Sequence, residues 1–226
     1  MDKIAIVVGA TGLVGKALVE QLLGADHISR IITITRRPMS YSSPKIENQV
    51  INFDEMEDFA SAFRGDLLFS CLGTTKKKAG SIAAQRVIDL EYQFKAAKMS
   101  ADNGVSHYLL VSSSGADVNS KNAYLQMKGE LEERVQGLHF DRISIFQPSL
   151  LLGKRTESRM GEQIGSVVLP LICLIPGLRR FRPIKGEQVA KKMVQVSQIT
   201  GQVLERFKLD EIFTKQVNKE VNINDR

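Results

Sequence analysis

The sequence predicts an α/β fold in which helices cover both faces of a doubly wound parallel sheet. Three observations lead to this prediction: short apolar runs alternate with helical patterns, the apolar runs are continuous rather than alternating, and a glycine-rich turn follows the first of them. Continuous apolar runs are typical of strands that are buried on both faces. Strands that alternate with helices indicate βαβ units and therefore a parallel sheet.

Six apolar runs have the length expected of buried strands. They cover residues 4–8, 31–35, 50–53, 67–71, 108–112 and 142–146. Helical patterns are found at residues 13–23, 81–102, 121–136 and 187–197. In the second helical pattern, apolar residues recur at spacings of three and four and predict one buried stripe. This stripe consists of Val87, Leu90, Phe94, Ala97 and Ala101.

The turn GATGLVG, with Gly9, Gly12 and Gly15, connects the first predicted strand to the first helix. In dinucleotide-binding folds the first glycine makes the tight turn and the second lets the backbone approach a pyrophosphate. The third lets the strand and the helix pack closely. The positive end of the helix then faces the phosphates. This context predicts a Rossmann-type dinucleotide site, and the alternative is a tight turn without a ligand.

Arg36 and Arg37 follow the second predicted strand, where proteins that bind NAD carry an acidic residue for the ribose 2′-hydroxyl. A guanidinium at this place binds a 2′-phosphate through two hydrogen bonds, and a second guanidinium stacks on adenine. The pair therefore predicts NADP(H) as the cofactor, and the alternative is a solvated strand end. After the third strand, Asp54 is either an acceptor for the adenine amino group or an ordinary loop carboxylate or helix cap.

The fifth predicted strand ends in SSSGAD, and the following YLQMK segment places Tyr124 and Lys128 four residues apart on one helix face. A nearby ammonium stabilises the phenolate form of a tyrosine, which can then exchange protons near neutral pH. A serine at the end of the strand can hold the substrate oxygen, and Ser112, Ser113 and Ser114 are all candidates. The pattern predicts a catalytic group, and the alternative is a surface pair.

Seven segments carry a resemblance to a known family. They are TRR (35–37), FDEMEDFASAF (53–63), CLGTTKKKAG (71–80), SSSGAD (112–117), YLQMKGELE (124–132), FDRISIFQPSLLL (140–152) and ESRMGE (157–162). On these segments the sequence resembles the atypical branch of the short-chain dehydrogenase/reductase superfamily. It is most similar to the Tat-interactive protein family of NADPH-binding, oxidoreductase-like proteins.

The resemblance implies a set of cofactor-binding residues at the pyrophosphate turn, after the second and fourth strands, on the helix that follows the fifth strand, and in the C-terminal part. They are Thr11, Gly12, Leu13, Val14, Arg36, Arg37, Leu72, Gly73, Tyr124, Lys128, Leu151 and Arg159. It also implies that Tyr124 is the proton donor and that Ser113 is the catalytic serine. Leu151 and Arg159 are expected to close over the cofactor.

The regular alternation of strands and helices fades after residue 146. We expect residues 1–148 to form the dinucleotide-binding domain and residues 149–226 to form a small C-terminal annex. The annex is expected to pack on the substrate side, so that the chain is one compact unit. Its apolar run VVLPLICLI (167–175) is interpreted as annex core or pocket wall, with an oligomer contact as the alternative. It is too short for a membrane span, which takes about 20 residues.

Composition excludes several other classes of function. The 31 basic and 25 acidic residues are interspersed, and 6% aromatic residues without tryptophan offer little stacking for nucleic acid. Two cysteines and three widely separated histidines predict neither a disulfide scaffold nor a metal site. The basic run Lys76, Lys77 and Lys78 is interpreted as a solvated loop, with attraction of an acidic substrate or a nucleic acid as the alternative. The chain shows no secretion-signal pattern, and we expect a cytoplasmic protein.

These observations predict an NADP(H)-dependent oxidoreductase that transfers a hydride to or from a small carbonyl or hydroxyl substrate. Tyr124 is expected to transfer the proton. Lys128 is expected to stabilise the phenolate form of Tyr124 and to bind the ribose. The alternative is a regulatory or redox-sensing protein that binds NADPH and acts through a protein partner. The resemblance supports this alternative, because members of that family are known better for regulation than for a substrate.

Overall fold

A computed structural model describes residues 2–152 and 179–213, in which strands and helices alternate. The strands are β1 (Lys3–Val8), β2 (Ile28–Thr35), β3 (Ile46–Val50), β4 (Leu67–Ser70), β5 (His107–Val111), β6 (Arg142–Gln147), β7 (Leu151–Leu152), β8 (Ile184–Lys185) and β9 (Leu204–Lys208). The α-helices are α1 (Leu13–Leu23), α2 (Lys76–Ala79), α3 (Ile82–Arg86), α4 (Tyr92–Asp102), α5 (Ala123–Gln136) and α6 (Gly186–Gln198). A π-helical turn, Val87–Glu91, joins α3 to α4, and 3₁₀ segments lie at Met56–Phe63, Arg179–Phe181 and Leu209–Ile212.

Within the described residues, seven strands form a parallel sheet in the order β3-β2-β1-β4-β5-β6-β9. The chain moves outward from β1 to β3, crosses back to β4 and then moves outward in the opposite direction. This reversal opens a crevice at the carboxyl ends of β1 and β4, where open α/β sheets bind their ligands. The predicted fold class, a Rossmann-type doubly wound parallel sheet, is confirmed.

Two apolar layers cover the two faces of the sheet. Val7, Phe69 and Leu109 belong to the layer that contains α1 and α6, whereas Leu68 and Leu110 belong to the layer that contains α4 and α5. Successive strand residues therefore point into different layers, as the pleat of a strand requires. Burial on both faces explains why these strand sequences are apolar without interruption.

The C-terminal part of the chain contributes directly to the main sheet. β9 pairs with β6 in parallel, with Ile143 opposite Leu204, and so extends the edge of the sheet. α6 packs beside α1, where Gly186 lies so close to Leu13 that an added Cβ would be 2.8 Å from its carbonyl oxygen. β7 and β8 form a separate parallel pair. The division of the chain at residue 148 stays a prediction.

The position of the third strand was predicted incorrectly. β3 covers Ile46–Val50, whereas the apolar pattern had indicated residues 50–53. β3 lies at the edge of the sheet, its residues are half-buried or exposed, and its sequence IENQV is largely polar. An edge strand with partly solvated faces does not need the apolar run by which buried strands are recognised.

The predicted helix over residues 81–102 is interrupted by the π turn. A π turn adds a residue to one turn of the helix, so that positions before it are rotated relative to positions after it. Of the predicted apolar stripe, Leu90 and Ala97 are buried, whereas Val87 is 39% exposed. Turns of this kind are frequent at functional sites, and Asp89 in this one hydrogen-bonds Thr74 at the crevice.

Candidate active site

Two cavities of about 500 Å³ each adjoin at the carboxyl edge of the sheet and form one cleft. The residues that line both are Gly12, Cys71, Leu72, Gly73 and Thr74. We call the cavity that extends to the end of β2 the β2 half, and the cavity that extends to the ends of β5 and β6 the β5 half. The glycine turn and the segment after β4 lie where the two halves meet.

The predicted glycines of the turn have different structural roles. Gly9 has a φ of +84°, which side chains rarely adopt, and an added Cβ would be 2.5 Å from backbone atoms of Cys71 and Leu72. Gly15 packs against the backbone of Gly9 and leaves no room for a side chain. Gly12 is exposed at the cleft, and an added Cβ would lie 3.3 Å from its nearest protein atom. Packing therefore requires Gly9 and Gly15, whereas Gly12 keeps the cleft open.

The first turn of α1 has the geometry of a phosphate site. Gly12 is the N-cap, and no side chain caps the helix. Leu13 and Val14 line the β5 half, and Thr11 lines the β2 half. The backbone N–H groups at a helix amino terminus lack partners within the helix, and the helix dipole favours an anion there. The turn therefore fits the pyrophosphate of a dinucleotide.

The β2 half is lined by Arg36, Arg37 and Lys78, and its described lining contains no acidic residue. Among the described residues, none of these three side chains has an ion pair or a hydrogen bond. Other arginines are paired with glutamates; they are Arg30, Arg86, Arg134, Arg142 and Arg206. Cations without partners in one cleft create a positive potential that favours an anionic ligand.

Phe53 and Tyr92 form an aromatic wall of the β2 half, with ring centroids 5.4 Å apart. The Tyr92 hydroxyl donates a hydrogen bond to Oδ1 of Asp54. Burial, followed by this hydrogen bond and the Asp54 charge, raises the pKa of Tyr92 to about 12, although Arg36 acts in the opposite direction. Tyr92 therefore stays protonated and holds Asp54 beside the cleft. The contact between Asp54 and adenine stays a prediction.

A network of buried polar side chains fixes the segment after β4. Asp89 is fully buried, and its carboxylate accepts hydrogen bonds from Thr74 N–H at 2.8 Å and from Gln85 Nε2 at 2.9 Å. Gln93, also fully buried, donates to the Asp89 carbonyl at 2.7 Å. An added Cβ on Gly73 would lie 3.2 Å from the Asp89 carboxylate. The cleft wall is thus anchored to the π turn, because each of these buried groups is hydrogen-bonded.

The β5 half brings together the predicted catalytic residues and the predicted annex residue Leu151. The catalytic candidates that line it are Ser112, Ser113, Ser114, Tyr124 and Lys128. Tyr124 is half-buried, whereas Lys128 is only 3% exposed. Among the residues that the structure describes, the Lys128 ammonium has no hydrogen bond or ion pair. Because Lys128 lines the cavity, its ammonium can donate hydrogen bonds to a polar ligand atom there.

Local contacts determine where α5 begins and how closely it packs against the loop that begins with Ser112, Ser113 and Ser114. The side chain of Asn122 accepts hydrogen bonds from the N–H groups of Tyr124 at 3.0 Å and Leu125 at 3.2 Å. This is the N-cap arrangement that defines the first turn of a helix. Gly129 packs against the backbone of residues 117–118 so closely that no side chain fits. The loop that begins with the serines is therefore held against the helix that carries the tyrosine and the lysine.

The serines differ in what their hydroxyls contact. Ser112 is 4% exposed and donates to Glu132, a 5% exposed carboxylate that also accepts from Gln147 Nε2 at 2.9 and 3.0 Å. Ser113 and Ser114 are half-buried in the cleft, and Ser113 Oγ donates only at 3.4 Å to the Ser114 carbonyl. The Ser112 hydroxyl is therefore already hydrogen-bonded to Glu132, whereas the hydroxyls of Ser113 and Ser114 are available to a ligand. Ser113 stays the predicted catalytic serine.

Cys71 lines both halves of the cleft. Burial raises the pKa of its thiol to about 12, with the Lys128 ammonium acting in the opposite direction. The thiol is therefore protonated at neutral pH. Because the thiolate is the reactive form of cysteine, Cys71 acts as a wall of the cleft. Across residues 2–152 and 179–213, no group of His, Cys, Asp and Glu side chains is arranged to hold a metal ion.

Several residues that support the site were not predicted from the sequence, and one predicted residue is not described by the structure. Glu132 lies four residues after Lys128, the same spacing that relates the predicted tyrosine and lysine, so one further turn of that pattern would have included it. Gln85, Asp89 and Gln93 also follow one another at four-residue spacing, a polar row within a helical pattern. The predicted closing residue Arg159 lies outside the described residues.

A protein-family model described as NAD(P)H-binding matches residues 9–164, which include the glycine turn, both arginines and the Tyr124–Lys128 pair. The chain belongs to this NAD(P)H-binding family. Protein HTATIP2 of Rattus norvegicus is 41% identical over 165 residues, which cover 71% of this chain and 68% of the relative. The mitochondrial protein fmp52 of Emericella nidulans is 39% identical over 171 residues, or 73% of each chain. The resemblance to the Tat-interactive protein family is thereby confirmed.

Solved structures share the fold of this chain. MoeE5 in complex with UDP-glucuronic acid and NAD has a TM-score of 0.67 at 12% identity, and covers 92% of this chain and 76% of its own. The Bordetella bronchiseptica enzyme WbmH in complex with NAD⁺ has a TM-score of 0.67 at 12% identity, and covers 92% of this chain and 75% of its own. At this identity the similarity concerns the fold alone.

The location of this NAD(P)H-binding protein in the cell stays a prediction. Among the helices of the described residues, none has the length and apolar character needed to cross a membrane. The fungal relatives are named as mitochondrial proteins. A cytoplasmic location is therefore not confirmed.

Proposed function

We propose that this protein is an NADPH-dependent oxidoreductase that acts on a small carbonyl or alcohol. The observation that carries the proposal is the β5 half of the cleft. There Tyr124, Lys128 and the hydroxyls of Ser113 and Ser114 line one cavity, and Lys128 has no ion pair among the described residues. That cavity continues past the glycine turn into a second cavity lined by three cations that have no ion pair among the described residues. The cleft thus offers an acid–base group at one end and a phosphate site at the other.

The residues of the β5 half have distinct roles in this reaction. A nicotinamide cofactor, when bound, supplies or accepts the hydride. Tyr124 donates its phenolic proton to the carbonyl oxygen during reduction and takes a proton from the alcohol during oxidation. Lys128 stabilises the phenolate that results and donates a hydrogen bond to the ribose. Ser113 donates a hydrogen bond to the substrate oxygen and orients it.

The choice of NADPH over NADH is inferred from the β2 half. Arg36 and Arg37 line it and have no hydrogen-bond or ion-pair partner among the described residues, and no acidic residue of the described lining could accept from a ribose 2′-hydroxyl. A 2′-phosphate would pair with the guanidinium groups through charge-assisted hydrogen bonds. Asp54, whose Oδ1 accepts from the Tyr92 hydroxyl, is not among the residues that line the β2 half.

The substrate is inferred to be an uncharged carbonyl compound with an apolar body. Lys128 is the only charged side chain in the described lining of the β5 half, and Val111, Leu150, Leu151 and Phe181 supply apolar walls. The UDP-sugar that the MoeE5 structure contains carries a diphosphate, and the described lining here has no arginine to bind one. A pocket of this kind orients its ligand through few polar groups.

A second candidate is an NADPH-binding regulatory protein that acts through a protein partner. Ile82 on α3 and Val87 at the start of the π turn are large apolar side chains that are 46% and 39% exposed. They lie five residues apart on the segment whose buried network holds the cleft wall. Cofactor binding in the cleft would affect a partner bound here through that hydrogen-bond network, and no reaction in the β5 half would be needed.

A screen for NADPH oxidation in the presence of aldehydes, ketones and quinones tests the proposal. The wild-type protein is expected to oxidise NADPH with at least one class. The matched control is Tyr124→Phe, which keeps the ring and removes the hydroxyl. If NADPH binds and no class is reduced, or if the control reacts equally fast, the oxidoreductase is the wrong conclusion and the regulatory candidate gains support.

Replacing Gly12 with valine is expected to abolish NADPH binding and to leave the domain folded. A Cβ at this position meets no protein atom closer than 3.3 Å, but the isopropyl group would fill the space at the start of α1. Loss of a good N-cap costs only about 1 kcal/mol. Calorimetric titration and thermal unfolding measure the two effects. The control, Gly9→Val, is expected to lower thermal stability, because its Cβ would meet the backbone after β4. A Gly12→Val variant with wild-type affinity would place the phosphates elsewhere.

A further inference from the structure

We propose that Lys78 binds the adenosine 2′-phosphate, so that a cation from the connection after β4 joins the two arginines after β2 in selecting NADPH. This inference rests on the proposed NADPH cofactor and adds a specificity residue to it. The sequence alone had favoured a solvated role for the basic run of which Lys78 is the last member.

The placement of Lys78 in the cleft is the first observation. Lys78 lines the β2 half together with Arg36 and Arg37 but does not line the β5 half. β1 lies between β2 and β4 in the sheet, so the arginines and the lysine approach the cleft from opposite sides of the glycine turn. Lys76 and Lys77 are also exposed but line neither half. Lys78 therefore differs from its neighbours in position and not in charge.

The short helix that carries Lys78 is fixed at both ends. Thr75 caps α2 and accepts the N–H of Lys78 at 3.2 Å. Gly80 ends the helix with a φ of +89°, and its N–H donates to the Lys76 carbonyl at 2.8 Å. The preceding residue, Thr74, is tied to the buried Asp89. A four-residue helix is not stable by itself, so these contacts are what place the lysine at the cleft.

The chemistry of the ligand gives Lys78 a role that the arginines leave open. A phosphate monoester has three acceptor oxygens and carries a charge of about −1.5 to −2 near pH 7. If one of Arg36 and Arg37 stacks on adenine, as the sequence predicts, a single guanidinium fork remains for the phosphate and leaves acceptor sites free. The Lys78 ammonium has three donors and, among the described residues, no ion pair or side-chain hydrogen bond.

Calorimetric titration of Lys78→Ala with NADPH and with NADH tests the inference. We expect the Kd for NADPH to rise about tenfold, which corresponds to one charge-assisted hydrogen bond. The Kd for NADH is expected to stay within about twofold, because NADH lacks the 2′-phosphate. The matched control is Lys77→Ala, which removes the same charge one residue away and is expected to change both constants by less than about twofold. Lys78 is exposed, so alanine in its place should not affect folding.

Each other outcome has a definite meaning. An equal loss of affinity for NADPH and NADH would place the lysine at the pyrophosphate and overturn the inference. Equal effects of Lys77→Ala and Lys78→Ala would show that only the charge of the loop matters, which also overturns it. If the wild-type protein does not prefer NADPH, the proposed cofactor itself is wrong. If it does prefer NADPH and Lys78→Ala keeps that preference, only the role of Lys78 is wrong.

Discussion

A Tyr124→Phe variant is expected to lose about 100- to 10,000-fold in kcat, the range typical of removing a general acid. Its affinity for NADPH is expected to stay close to that of the wild type. Phenylalanine keeps the ring at the first turn of α5, where Asn122 caps the helix, but it has no proton to give. Steady-state kinetics with a carbonyl from the screen and calorimetric titration with NADPH measure the two quantities.

A Lys128→Met variant is the companion experiment, because the lysine has two roles and the tyrosine has one. Methionine has a similar length and suits the buried position, in which Lys128 is 3% exposed. We expect both a fall in kcat and a higher Kd for NADPH, since the ammonium also contacts the ribose in the proposed mechanism. Equal losses of NADPH affinity in the two variants would contradict this division of roles.

The double variant Arg36→Ala, Arg37→Ala is expected to lose the preference for NADPH over NADH. Each charge-assisted contact contributes about 1.5–3 kcal/mol, so the preference should lie between about tenfold and ten-thousandfold in the wild type. Both side chains are exposed, and neither has a partner among the described residues. The change should therefore act on the ligand and leave thermal stability within about 0.5 kcal/mol.

Arg30→Ala is the matched control for the double variant. Arg30 lies on β2, the strand that Arg36 and Arg37 follow; it is exposed and pairs with Glu47, but it does not line the cleft. Its replacement should leave both cofactor affinities unchanged, since exposed ion pairs contribute little. Calorimetric titration of all three proteins with NADPH and NADH gives the comparison. Equal affinities of the wild type for the two cofactors would contradict the role of the arginines.

The buried part of the sheet could be predicted from the sequence, and its edges could not. β1, β4 and β5 are continuous apolar runs because both of their faces meet helices. β3 and β9, with the sequences IENQV and LERFK, lie at the two edges, and their residues are half-buried or exposed. Their pairing with β2 and β6 depends on tertiary contacts rather than on a local apolar pattern.

The same distinction holds for the site. The glycine turn, Arg36 and the Tyr124–Lys128 pair could be found because each is a local pattern tied to the end of a strand. The buried residues that hold these groups in place could not be found in this way. Glu132 on α5 accepts a hydrogen bond from Ser112, which follows β5, and Asp89 accepts one from Thr74. Asp89 lies in a π turn, which the spacing of apolar residues does not predict. Such contacts join residues that are distant in sequence, and a single chain read in order does not display them.

The most direct test of the central claim, that this cleft transfers a hydride, uses NADPH with deuterium on either face of the nicotinamide C4. The labelled cofactor is incubated with the wild-type protein and a carbonyl from the screen, and the alcohol product is analysed by mass spectrometry. We predict that the alcohol carries deuterium from one face, and that Tyr124→Phe forms it at least about 100-fold more slowly. If NADPH binds and the deuterium stays on the cofactor with every carbonyl of the screen, the claim is wrong.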